Sequence, residues 1–452
     1  MKGVEKGGRL MKKSFLLLVM VSVLVLAGTS WADVFDVNDE TQLRTALTDA
    51  AGNGQNDTIN IAAGTYTLGG STFSYTPSLG PPEENFSLTI VGAGAGSTIL
   101  DGGNTEQIMH IDTRALGDDA NADITLTGIT FWRGDDTTAI PGHPGGLWVW
   151  TTHADITVEN CEFLENTGYH GGGARAVSTA AAPPSGNVTF RNNIFRDNTA
   201  DNRGGGAYGS CSSGTLTYMN NLFDGNTANF NGGGALGNTS DGTVIYSNNV
   251  FTGNTATIHA GGGAKSYCST GTITFTNNTF SGNTAGQYGG GLYISLYKET
   301  ATANIYNTIA WSNTAAVSGN DIYVEDDGDG DGALIATVNL YNNNYGPVAN
   351  DFAIEVGGAP FKSGDNITTD PLFVDVSDPD PSNWDLHITS SSPCRDSGTA
   401  SAPALPATDV DGEPRTAGSA PDIGADEFPV SSPVSPLGGG GGGGCFIVIA
   451  GQ

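Results

Sequence analysis

Short β-branched segments in which every second position is apolar recur through the middle of the chain. Thr272-Ile273-Thr274-Phe275, Asn187-Val188-Thr189-Phe190 and Thr243-Val244-Ile245-Tyr246 are three of them. Period two marks strands with one buried face. No helical stripe separates these segments, which excludes alternating strand–helix units. One stretch departs from the pattern. Residues 40–51 set Leu43, Ala46, Leu47 and Ala50 at helical spacing. A short amphipathic helix is predicted there, placed to cover the open edge of the first strand layer. Asp57–Ile61 and Leu88–Val91 are the strands predicted to begin the stack.

The segments repeat. Phe163, Phe195, Phe223, Phe251 and Phe280 follow at intervals of 32, 28, 28 and 29 residues, and each opens Phe-x-x-Asn-Thr. Phe131 stands 32 residues before Phe163, and Ala310 takes the next Phe position. A glycine triplet follows each Phe, as in Gly204–Ala207 and Gly232–Ala235. Three residues before each Phe comes an Asn: Asn160, Asn192, Asn220, Asn248 and Asn277, with Asn307 before Ala310. Short strands, Asn-rich corners and this period predict an all-β, right-handed parallel β-helix (a pectin lyase-like solenoid) with a short N-terminal capping helix. Coils in such a stack lie about 4.8 Å apart. The recurring Phe then become one internal stack, and the recurring Asn a ladder in which each amide bonds the next.

Composition places this repeat outside the cell. Lys12 and Lys13 precede the apolar run Ser14–Ala27, and Ser30-Trp31-Ala32 offers a cleavage point. Residues 1–32 therefore read as a secretory signal peptide, too short in its apolar part to span a membrane. They hold five of the 17 Lys+Arg and one of the 47 Asp+Glu, leaving 12 against 46 and a formal charge of −34. Such a surface excludes nucleic acid as a partner. The 67 glycines fall at repeat positions, so they belong to an ordered array. Five cysteines do not make a disulfide framework. Cys211 and Cys268 each stand seven residues after a triplet begins, with Thr239 at that phase between them. Two coils separate them by about 9.6 Å. A disulfide needs Cα atoms within about 7 Å, so the two are expected to be unbonded.

The Phe-x-x-Asn and Gly-Gly-Ala marks resemble the polymorphic outer membrane protein repeats of bacterial surface adhesins. The opening, Thr41–Leu47 through Thr89–Gly94, is similar to that of secreted right-handed β-helix proteins. Asp370-Pro371-Leu372-Phe373, Asp385-Leu386-His387, Ser392–Gly398 and Asp422–Phe428 resemble the choice-of-anchor Q domain. Together these imply four regions: 1–32 signal peptide, 33–345 β-helix, 346–428 choice-of-anchor Q-like, and 429–452 linker and tail. In the tail, Gly438–Gly444 precede Cys445-Phe446-Ile447-Val448. That order resembles sorting tails of secreted bacterial proteins and implies envelope attachment.

Chemistry-bearing residues concentrate in 131–153, the least repeat-like part of the helix. Trp132, Arg133, Asp135, Asp136, His143, Trp148 and Trp150 lie there. Aromatic faces beside acids and imidazole make a sugar platform; the same residues also fit a loop with a satisfied aromatic core. Gly134-Asp135-Asp136 matches one element of the polygalacturonase pattern, without the others. Arg175, Arg191, Arg196 and Arg203 occupy different repeat phases and show no convergence. Asp327, Asp329 and Asp331 give the D-x-D-x-D-G start of a calcium loop, but its twelfth position is Val338; a solvated acidic turn fits equally. The expectation is a secreted or surface-attached scaffold of a bacterium, recognising an extracellular glycan or a surface receptor without catalysis. The alternative is a polysaccharide lyase or glycoside hydrolase.

Overall fold

The computed structural model describes residues 32–429, except 79, 81–83, 137–141, 181–184, 299, 327–335 and 356–360. Residues 1–31 of the signal segment, the acidic loop of Asp327, Asp329 and Asp331, and the Gly-rich tail lie outside the described residues.

The central coils of the chain visit four parallel sheets in turn. In one coil Thr215–Met219 lies in sheet A, Leu222–Asp224 in sheet B, Thr227–Ala228 in sheet D and Ala235–Thr239 in sheet C. Thr243–Ser247 then returns to sheet A, one step along. Among the described residues sheet A has 12 strands, B and C have 10 each, and D has six. The molecule is a right-handed parallel β-helix.

Positive φ makes the corners. Asn220 (φ 54°) turns the chain from sheet A to B, Gly225 (φ 65°) from B to D, and Gly232 (φ 66°) from D towards C. Asn tolerates the left-handed region better than other side chains. At Gly232 there is no such choice, because a Cβ would lie 2.4 Å from the Ala235 carbonyl oxygen.

The repeat Phe residues all point inward and are fully buried. Ring centroids from Phe131 through Phe163, Phe195, Phe223, Phe251 and Phe280 are 4.5–4.9 Å apart, with planes within 6° of parallel. Ala310 pairs with Phe280 and ends the stack. A second column of Phe190, Tyr218, Tyr246 and Phe275 stacks beside it at 4.4–5.1 Å.

The amide ladder differs from expectation. Asn220 donates to Asn192 at 3.2 Å and Asn192 to Asn160 at 3.3 Å. Asn248 and Asn277 instead donate to carbonyls of Thr408, Asp422 and Gly424. The left-handed corner turns these side chains outward, where another segment reaches them. Two unbroken ladders lie inside. One takes the closing Asn of each Phe motif: Asn166, Asn198, Asn226, Asn254, Asn283 and Asn313, each donating its side-chain and backbone N–H to the next Oδ1 at 2.9–3.1 Å. It ends on the Asp321 carboxylate. The other runs through Asn193, Asn221, Asn249 and Asn278, one residue past the corner Asn.

The N-terminal end is covered by the helix Glu40–Ala50, capped by Asp39 and burying Leu43, Ala46, Leu47 and Ala50. At the other end Phe352–Glu355 and Phe361–Gly364 still pair into sheets C and A. The chain then folds back over the outer side of sheet B. Leu386 and Ala425 pack on Val250, and Ile388, Cys394 and Ile423 on Ile309. The buried Arg415 guanidinium donates to Asn248 Oδ1 at 2.6 Å and to the Ala425 carbonyl at 2.7 Å. Cys211 pairs with Thr239 and Thr239 with Cys268, two steps apart, and all four described cysteines are free.

Candidate functional site

Alternation in sheet C decides what the molecule shows on that face. Ala207 and Leu147 point into the core, so Tyr208 and Trp148 point out. One position outside the core therefore repeats coil after coil: His110, Trp148, Arg175, Tyr208, Leu236, Lys265, Tyr293 and Tyr323 lie in register, and of these only His110 and Arg175 are partly exposed, the others being buried.

The rings in this row touch. His110 stacks on Trp148 with centroids 4.4 Å apart, His143 leans on Trp148 at 4.0 Å, and Trp150 lies 5.5 Å from Trp148. The Arg175 guanidinium stands 5.7 Å from both Trp rings and 5.2 Å from Tyr208. Arg114 lies over Trp150 at 3.3 Å and is held by Asp112. Beside His110 opens a cleft of about 260 Å³, lined among others by Ser74, Glu106, Asp135, Asp136 and His143. His143 Nδ1 meets the Asp136 carboxylate at 2.9 Å.

One coil on, His170 occupies the corner between sheets D and C. It pairs in register with Arg203 and stacks on Tyr208 at 5.5 Å, with Tyr169 edge-on at 4.7 Å. Burial, and then the charges of Arg175 and Arg203, push its pKa down to about 4. His170 is therefore a neutral imidazole near pH 7, flanked by two guanidinium groups. Its Nδ1 and the Nε of both arginines are buried without a partner. Burial likewise pushes His110 down to about 4. A neutral base beside paired cations and a phenol can hold an anionic group and move a proton next to it.

The expected site residues thus divide. Asp135, Asp136 and His143 line the cleft, and Trp148 and Trp150 stand on the adjoining rows. Trp132 and Arg133 do not line it. Trp132 belongs to sheet B, and Arg133 lies 3.7 Å above its ring while pairing with Asp101. Arg191 pairs with Glu159, and Arg196 with Asp224, away from this face. Arg175 and Arg203, by contrast, do converge, on His170. Counting from the glycine triplets would have found this. His170 and Arg203 each directly precede a triplet, and Arg175 and Tyr208 each follow its first glycine by four.

A second cluster lies in the C-terminal segment. His387 sits between Asp385 at 2.5 Å and Asp411 at 2.8 Å, with Asp426 close by. The Asp411 bond foremost pushes its pKa up to about 10. Both ring nitrogens are engaged, so this is an ion-paired clamp between the strand Asp385–Ile388 and the loop that carries Asp411.

Residues 113–250 match the family described as right handed beta helix region. The chain is also similar to two A-modules of Azotobacter vinelandii mannuronan C-5 epimerases. AlgE4 is 13% identical with a TM-score of 0.28, covering 74% of this chain and 97% of that one. AlgE6 is 17% identical with a TM-score of 0.27, covering 75% and 97%. The PL6 family alginate lyase AlyGC is 11% identical with a TM-score of 0.21, covering 74% and 53%. Likeness at this level says nothing of which residues act. No curated protein matches the chain.

Proposed function

We propose that the protein is exported and holds an acidic polysaccharide of the uronate class along the outward face of sheet C. The observation that carries this reading is the in-register row of aromatic and cationic side chains. A chain of net charge −30 sets Arg175 and Arg203, both partly exposed, on one face beside the partly exposed Trp150 and His170. Sugar rings stack on aromatic faces, and guanidinium groups pair with carboxylates. Coils about 4.8 Å apart present such groups at a spacing close to one sugar of an extended chain. The apolar segment after Lys13 supports export. The resemblance to surface-adhesin repeats and to the choice-of-anchor Q domain supports a cell-surface role, with attachment through the C-terminal tail. Binding of the purified protein to polyuronate, compared with a neutral glucan of equal length, tests the reading. Preference for polyuronate that weakens with salt is expected; equal binding or none overturns it.

A second reading rests on His170 itself. Arg175 and Arg203 would neutralise a uronate carboxylate, neutral His170 would take the proton α to it, and Tyr208 would serve the leaving oxygen. That is lyase chemistry, or epimerase chemistry if the proton returns on the other face. Release of unsaturated uronate from the polymer, absent in His170→Ala, supports it. Tight binding with neither unsaturated product nor epimerised sugar leaves recognition without catalysis.

A further inference from the structure

Three buried oxygen atoms meet no partner at the N-terminal end of the helix: Asp57 Oδ2, Glu84 Oε1 and Tyr75 Oη. Their side chains are almost wholly enclosed, with Asp57 2%, Glu84 0% and Tyr75 1% exposed. Each carboxylate is anchored by its other oxygen alone. Asp57 Oδ1 accepts from Asn53 Nδ2 at 2.8 Å, and Glu84 Oε2 accepts from the Gly54 N–H at 2.6 Å. Asp33, in register with Asp57, accepts from Asn53 and Gln55 but does not close a three-carboxylate group with Asp57 and Glu84. Among the described residues no Lys or Arg pairs with Asp57 or Glu84. The groups also feel one another. After burial, the charges of Glu84 and Asp57 are what push up the Tyr75 hydroxyl, and Asp57 acts in the same sense on Glu84.

Enclosing two carboxylates without a counter-charge is costly. Buried polar atoms without partners call for an ion, a water or a proton. We propose that these residues bind a calcium ion, with Asp57 Oδ2 and Glu84 Oε1 as its charged ligands. The donors are all oxygen, which a hard cation prefers, and extracellular calcium suffices for sites of ordinary affinity. The ion joins the second strand of sheet A (Asp57), which follows Asp33–Val37, to the loop after the capping helix (Asn53 and Gly54) and the segment leading to the next coil (Glu84). It therefore secures the end of the solenoid at which the cap must hold. This site shares no residue with the Asp327, Asp329 and Asp331 motif of the sequence.

Thermal unfolding of the purified protein, with millimolar calcium or with chelator, tests the proposal on four chains. Wild type is expected to melt several degrees higher with calcium and to carry calcium on elemental analysis. Asp57→Asn/Glu84→Gln keeps both anchoring acceptors. It should lose the calcium shift yet melt above the wild type in chelator, because two buried charges are gone. Glu84→Gln alone should weaken the shift, and Asp329→Ala should retain it. A wild type indifferent to calcium, or a shift that survives Asp57→Asn/Glu84→Gln, overturns the proposal. A double variant that fails to fold leaves the decision to Glu84→Gln, whose unchanged shift would likewise overturn it.

Discussion

Phe223 lies between Phe195 at 4.8 Å and Phe251 at 4.6 Å, with no exposure to solvent. Truncation to Ala opens a cavity that two stacked neighbours cannot close. Phe223→Ala is expected to lower unfolding free energy by about 3–5 kcal/mol, read by chemical denaturation; a loss below 1 kcal/mol would contradict the stack. Such residues were legible because a ring recurring once per coil has only one inward place to go. The groups around His170 were not, although Arg175 and Arg203 each stood in plain sight. What unites them is phase within the coil, and that appears only when residues are counted from the glycine corners. At this scale function has its own test. Arg175→Ala is expected to weaken polyuronate binding roughly ten- to a hundredfold, the loss of one or two charge-assisted contacts. Arg191→Ala, on another face, should leave binding unchanged.

Ladders and cap are what hold successive coils in register. Asn226 Oδ1 accepts both the backbone and side-chain N–H of Asn198. Asn226→Ala leaves both donors buried and unmet, at about 1–3 kcal/mol each. Asn160 sits at an exposed left-handed corner (φ 52°), so Asn160→Gly, which tolerates that backbone, should change stability by less than about 0.5 kcal/mol. Denaturation of the two variants side by side distinguishes inner from outer ladder, and equal losses would contradict the assignment. Strands, corners and the capping helix could be read from period and spacing, because each is decided within a few residues. The inner Asn193, Asn221, Asn249 and Asn278 were overlooked beside the corner Asn that precede them. The return of the C-terminal segment over sheet B left no periodic mark. Its bonds join residues as distant in sequence as Asn248 and Thr408, and its packing partners are single side chains.

Across the whole molecule, excess negative charge leaves a mark on stability. Burial pushes Asp224 and Asp426 up to about 6, and Asp321 and Glu427 up to about 7. A raised folded pKa means the folded state holds these protons where the unfolded chain has lost them. Stability from this source is present below about pH 4 and is lost as pH rises to 7. His387, raised to about 10, acts in the same direction above neutrality. His110 and His170, lowered to about 4, oppose it, since their neutral folded forms are disfavoured as pH falls from 6.5. Four carboxyl groups outweigh two imidazoles, so the melting temperature in chelator is expected to fall from pH 6 to pH 8. Asp321→Asn, which keeps an acceptor for Asn313, should flatten that slope; a slope unchanged or reversed would contradict the assignment. The same charge balance bears on function, because an acidic protein repels an acidic polymer everywhere except where its cations gather. The most direct measurement is titration calorimetry of a defined oligouronate with the wild type and with Arg175→Ala/Arg203→Ala, at low and high salt. Salt-sensitive binding by the wild type, lost in the double variant while its unfolding curve stays intact, is the result this account predicts. Undiminished binding by the double variant, or equal affinity for a neutral oligosaccharide, would contradict it.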